Sequence, residues 1–164
     1  MQHVLTELAL HSNIPVGATS GLSLDGRHFP SLCALSLRKI VFEPYVSAEH
    51  FVLRHPATLA QPELITCKLL INAPSLFTTD EESTARPSWE HIWDSFAQEL
   101  TTLVVLLIDE SGGDSLGHLY VRLGPWYRFG RCSLPAHVNA PDAAALRWFY
   151  VTVAARSVEA RRAS

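Results

Sequence analysis

Between Ser88 and Thr101 the chain alternates with the period of a helix. Trp89, Ile92, Trp93, Phe96 and Leu100 share one face, and Glu90, His91, Asp94, Gln98 and Glu99 share the other. Ser88 suits the N-cap, because its hydroxyl can accept from an amide of the first turn, and Glu90 sits where the helix dipole favours negative charge. This pattern predicts an amphipathic helix over about 88–101 with one buried face.

Elsewhere a period of two dominates. Ala34 to Phe42 sets Leu35 and Leu37 against Ser36 and Arg38 and predicts a strand closed by Glu43-Pro44. His50–Leu53 and Leu64–Ile71 read as further strands, separated by a connection through Pro56 and Pro62. Thr101–Ile108 is an aliphatic, β-branched run that suits a central strand buried on both faces, with an exit turn over 109–114. Leu119, Val121 and Leu123 alternate with His118, Tyr120 and Arg122, which predicts a returning strand with the second set on its wetter face; Tyr127–Leu134 continues as another. Asp25-Gly26 marks a tight hairpin turn within Leu22–Phe29.

Two segments lack a strand period. Val4, Leu5, Leu8 and Ala9 have three-and-four spacing, so Met1–His11 reads as a short helical arm over about 1–12. Thr78–Pro87 has no apolar period and reads as an exposed loop. In the last segment Leu146, Phe149, Val153, Ala154 and Val158 keep a helical face, although Trp148–Val153 is rich in strand-favouring residues; a C-terminal helix is the expectation. No internal repeat or heptad array stands out. The elements add up to an α+β fold: one domain over 1–164, with a mostly antiparallel sheet of about five to seven strands, the 88–101 helix packed on it and the C-terminal helix beside it.

A chain of 164 residues that is 48% hydrophobic can bury a sizeable core unaided. Its longest apolar run, Leu103–Ile108, is far short of the roughly 20 residues that span a bilayer, and no leader pattern opens the chain. These features predict a soluble intracellular protein, cytoplasmic or nuclear, without membrane insertion. Cys33, Cys67 and Cys132 are odd in number and lack paired spacing, so they read as reduced, half-buried thiols.

Charge adds what the net value of -3 conceals. Residues 1–119 carry fourteen acidic and six basic side chains, whereas residues 120–164 carry two acidic and seven basic ones. The basic end is also aromatic. Arg122, Trp126, Tyr127, Arg128, Phe129, Arg131, Arg147 and Trp148 therefore form the candidate interaction surface, with Glu90, Asp94 and Glu99 as an acidic counter-surface. The function this predicts is non-enzymatic assembly, through binding to a second copy or to an acidic protein partner. The same arginines and aromatics suit RNA or single-stranded DNA, by phosphate pairing and base stacking.

Catalytic and ligand motifs are sparse. Cys132 with His137, and Asp142 beyond them, is the only nucleophile–base set close in sequence, and makes a small cysteine-dependent enzyme the third reading. Asp109, Glu110, Asp114 and His118 do not have the spacing of a calcium loop. No phosphate-binding glycine loop or dinucleotide fingerprint occurs, so no cofactor, metal or small-molecule substrate is implied.

Two resemblances add expectations. Ser31-Leu32-Cys33-Ala34-Leu35-Ser36-Leu37-Arg38-Lys39-Ile40 resembles the BC box with which substrate receptors of cullin-RING ubiquitin ligases hold elongin C: Ser-Leu, three residues, a small side chain, then an aliphatic one. It implies a helix over 31–40 and elongin C as partner. Leu64–Ile108, with its strand, acidic-polar loop, Trp-containing helix and aliphatic strand, is similar in order to part of the matrix proteins of non-segmented negative-strand RNA viruses, which implies a structural role in assembly.

Overall fold

Leu35, Leu37, Ile40 and Phe42 are buried at 2% exposure or less, and the strand that carries them is the centre of the fold. The computed structural model describes residues 4–17, 22–24, 26–43, 48–71, 88–109, 120–123, 129–132 and 136–163. In chain order the elements are β1 (Glu7–Val16), β2 (Ala34–Phe42), α1 (Ala48–Leu53), β3 (Gln61–Ile65), β4 (Lys68–Leu70), α2 (Trp89–Glu99), β5 (Leu107–Asp109), β6 (Tyr120–Leu123), β7 (Phe129–Cys132) and α3 (Ala136–Ala163). The seven strands form one sheet in the order β5-β3-β2-β4-β6-β7, and β1 also lies against β2. The sheet curls into a half-barrel.

The expected antiparallel sheet is not what forms. Among the described residues five of the six strand pairings are parallel, and only β6 with β7 is antiparallel. Parallel neighbours need a long crossover between them, and this chain supplies several. The proline-punctuated stretch between β2 and β3 is such a crossover, carrying α1 where a strand is expected at His50–Leu53. Phe51 and Val52, strand-formers by propensity, are held in that helix because both are fully buried against the core.

A crease runs across the sheet. β3 and β4 lie along the same edge of β2 in one continuous register, Arg38 beside Ile65 and Val41 beside Lys68, but the ladder breaks between them. There Lys39 (φ 55°) and Thr66 (φ 47°) both adopt the left-handed conformation. At the same level β1 shifts register between His11 and Val16, and Lys39 Nζ donates to Asn13 O at 2.7 Å. On one side of the crease β5 extends the sheet beyond β3; on the other, β6 extends it beyond β4. One strand in the sequence, Leu64–Ile71, is thus two in the fold.

Further expectations are corrected. Met1–His11 is not a helix over its described part: β1 begins at Glu7, and Leu8 and Leu10 turn toward the core in the period-two pattern. Thr101–Ile108 is not a central strand. Only Leu107–Asp109 is strand, at the end of the order, and Val105 and Leu107 are each 50% exposed. Tyr120 is not on a wet face but 1% exposed, inside the main core, while Val121 joins Val41 and Leu70 in a smaller cluster. Gly26 takes φ 65° and Arg27 N–H donates to Leu24 O, as a tight turn there requires, but none of the described residues flanking it is strand. The BC-box-like segment enters β2 at Ala34, so the helix implied for 31–40 is absent. The Thr78–Pro87 loop lies outside the described residues. No described helix is long and apolar enough to cross a membrane.

Candidate protein-interaction site

α2 forms where the sequence places it, and its N-terminus is held by three separate parts of the chain. Ser88 Oγ accepts from His91 N–H at 3.2 Å, Tyr120 Oη on β6 accepts from Trp89 N–H at 3.1 Å, and Asp142 Oδ1 on α3 accepts from Glu90 N–H at 2.9 Å. The Tyr120 hydroxyl in turn donates to Asp142 Oδ2. A buried carboxylate at the positive end of a helix is favourable, and here it is also hydrogen-bonded. At the other end Arg156 on α3 donates to Leu100 O at 2.8 Å and to Ala97 O at 2.6 Å, two carbonyls that the helix leaves open. α2 and α3 therefore run parallel in contact, with an α3 charge of the right sign at each pole of α2. Stacked rings of Trp89, Trp93 and Phe149 fill the seam.

α3 carries apolar residues on two opposite sides. Asp142, Leu146, Phe149, Val153 and Arg156 face α2. On the outside Ala144, Trp148, Val151, Ala155 and Val158 recur at alternating steps of four and three and are all exposed, Trp148 at 61% and Val151 at 60%. Such spacing is the seam of helix-on-helix packing. Arg147, Arg161 and Arg162 border this stripe, all exposed, while neighbouring α2 shows Glu90, His91, Gln98 and Glu99, with Asp94 half-buried. An acidic row and an apolar-basic row thus belong to two helices in contact.

The structure divides the expected basic-aromatic surface. Arg147 and Trp148 lie together on exposed α3. Arg122 (β6) lies opposite Gly130 and Arg131 (β7) opposite Val121, so the two arginines occupy positions of opposite parity in their hairpin, with Phe129 opposite Leu123. Trp126, Tyr127 and Arg128 lie outside the described residues. Cys132 ends β7, opposite Tyr120, and His137 lies in the first turn of α3. Asp142, the third member of that set, has both carboxylate oxygens engaged at the α2 N-terminus. The sequence pattern does not single out the outer α3 stripe: it groups Ala154 and Val158 with Leu146, Phe149 and Val153, whereas the structure buries the last three and leaves Ala154 and Val158 exposed.

Other groups of chemical interest are few. Burial pushes the Cys67 thiol up to about 12, so it is an inert core group. Cys33, expected half-buried, is exposed. On the open face of the sheet His11 Nε2 lies 2.7 Å from Ser36 Oγ, and the Ser36 hydroxyl donates to Glu63 Oε2. With its one proton given to Glu63, Ser36 accepts from the imidazole. That order differs from a hydrolytic triad, in which the carboxylate orients the imidazole and the imidazole takes the hydroxyl proton. Among the described residues no three His, Cys, Asp or Glu side chains converge as for a metal ion. Comparison with known proteins gives no match to a family, to a curated protein or to a solved structure.

Proposed function

We propose that this chain is a non-enzymatic assembly protein that pairs with a second copy of itself through the α2–α3 layer. The observation that carries this reading is the outer stripe of α3: five apolar positions at helix-packing spacing, including a tryptophan, left in solvent on a helix whose inner face is already fully used. A two-fold axis parallel to the helices would set α3 of one copy against α2 of the other, and the reverse. Each contact then places Arg147, Arg161 and Arg162 near Glu90, Asp94 and Glu99. From Ala144 to Arg162 the stripe is about 27 Å long, and two helices side by side are about 20 Å wide. That footprint is of the order of the roughly 800 Å² per partner that stable interfaces bury. The charges steer and set register, while Trp148 and Val151 supply the apolar anchor.

Light scattering on a sizing column tests the reading. The wild-type mass is expected at twice the 18.2 kDa of one chain. Val151→Asp, which places an acid on the seam without touching the core, should return it to one chain with its helical circular dichroism intact. A wild-type monomer at all concentrations, or a Val151→Asp protein of unchanged mass, would refute it. Nucleic acid bound instead to Arg122 and Arg131 would appear as excess absorbance at 260 nm and a salt slope of about 0.7–0.9 per phosphate contact.

A further inference from the structure

The open face of the sheet carries a second surface, independent of α2 and α3. Parallel register aligns its outward side chains in rows across the strands: Glu7, Ala34 and Gln61 in one, and Ala9, Ser36, Glu63 and Leu107 in the next. Because Ala9, Ala34 and Ser36 are small and their neighbours long, the rows enclose a groove of about 510 Å³, to which Val105 adds an apolar wall. This is within the range of ligand-binding clefts, roughly 300–1,000 Å³. The groove crosses four strands, or about 14 Å, a span that matches about four residues of extended chain.

Its chemistry is one-sided. Glu7 and Glu63 are its charged groups, and among the described residues neither forms an ion pair. Glu63 is held in orientation through Oε2 by Ser36, itself tied to His11, and Oε1 accepts no hydrogen bond from the described residues. Arg38, on the same face, stands two residues along β2 from Ser36 and is exposed. Val105 and Leu107, each half exposed, provide an apolar ledge beside the oriented carboxylate. A fixed acceptor next to exposed aliphatic surface suits a side chain with an apolar stem and a cationic head.

We infer that this groove binds an extended peptide segment of a partner protein through an arginine or lysine whose head pairs with Glu63 and whose stem lies on Leu107 and Val105. The test is fluorescence anisotropy with a labelled Leu-Arg-Leu-Arg-Leu peptide, and its glutamate counterpart as control, at 50 mM salt. Wild-type protein should bind the arginine peptide saturably and the glutamate peptide not at all. Affinity should fall at least tenfold in Glu63→Gln, and also in Ala34→Trp, which fills the trough while keeping both carboxylates. Glu90→Gln with Glu99→Gln, on α2, should leave it unchanged. Equal binding by wild type and Ala34→Trp, equal loss in the α2 variant, or no saturable binding would overturn the inference. Should Glu63→Gln fail to fold, exposed Glu7→Gln and Ala34→Trp still decide it. None of the groove variants should alter the mass on the sizing column, so failure here is distinct from failure of self-association.

Discussion

Asp142 and Arg156 show how single residues hold two helices in register. Removing Asp142 takes away the acceptor of the buried Tyr120 hydroxyl and of the part-buried Glu90 amide, so Asp142→Ala should lower stability by about 1–3 kcal/mol in urea unfolding. Arg156→Met keeps much of the stem and loses the two carbonyl contacts, and should cost about 1–2 kcal/mol. His55 gives the fold a pH dependence. Its Nδ1–H donates to Phe51 O at 2.8 Å and its Nε2 accepts from Phe29 N–H at 3.0 Å, so the buried ring is neutral and a second proton would meet a donor. Burial first, then His28 and Arg54, hold its pKa below the usual 6.5, against the pull of the Phe51 carbonyl. The unfolded chain therefore binds that proton more tightly, and the stability present above pH 6.5 is lost as pH falls through the folded value. Urea midpoints at pH 7.5 and pH 5 should differ in this sense, and differ less in His55→Gln.

At the scale of the element, what was legible was what is local. α2 could be read from its period and cap, and β2 from its alternation, because in both the face buried in the fold is the face the sequence marks. β1, α1 and β5 could not be read this way. Leu8 and Leu10 fit a strand or a helix equally well, and pairing with a β2 more than twenty residues away decides between them; Phe51 and Val52 are helical because a crossover needs them there. At the crease, Thr66 is a β-branched residue in a left-handed conformation, and its buried hydroxyl has no partner among the described residues. Thr66→Gly should accordingly raise stability by about 1 kcal/mol, the strain and the orphaned hydroxyl outweighing the added chain entropy. The two faces of α3 separate just as clearly. Phe149→Ala, inside the Trp93 stack, should cost about 3–5 kcal/mol, whereas Trp148→Ala, one residue away, should leave monomer stability within about 0.5 kcal/mol and weaken association.

For the whole molecule, the sequence pointed to an α+β chain with charge divided along its length but misjudged how the strands meet. Strand period says nothing of direction, and only the long connections, two of them carrying a helix (α1 and α2), distinguish a parallel sheet from a meander. The candidate site was legible in part. Arg147, Trp148 and the acidic face of α2 were nameable from composition and period, while their adjacency depends on Asp142 and Arg156, residues that looked unrelated to it. The open-face groove was not legible at all, since it exists only where three parallel registers align small side chains in β1 and β2 beside long ones in β3 and β5.

The claim that the molecule pairs through α2 against α3 is tested most directly by exchanging the charges. A chain with Arg147→Glu, Arg161→Glu and Arg162→Glu, and a second with Glu90→Lys and Glu99→Lys, should each sediment alone as one chain, because every helix contact in either pair is then between like charges. Mixed in equal amounts they should sediment as a dimer, since both contacts in the mixed pair join opposite charges. A mixture that stays monomeric while the wild type is a dimer, or reversed chains that each still dimerise alone, would contradict it.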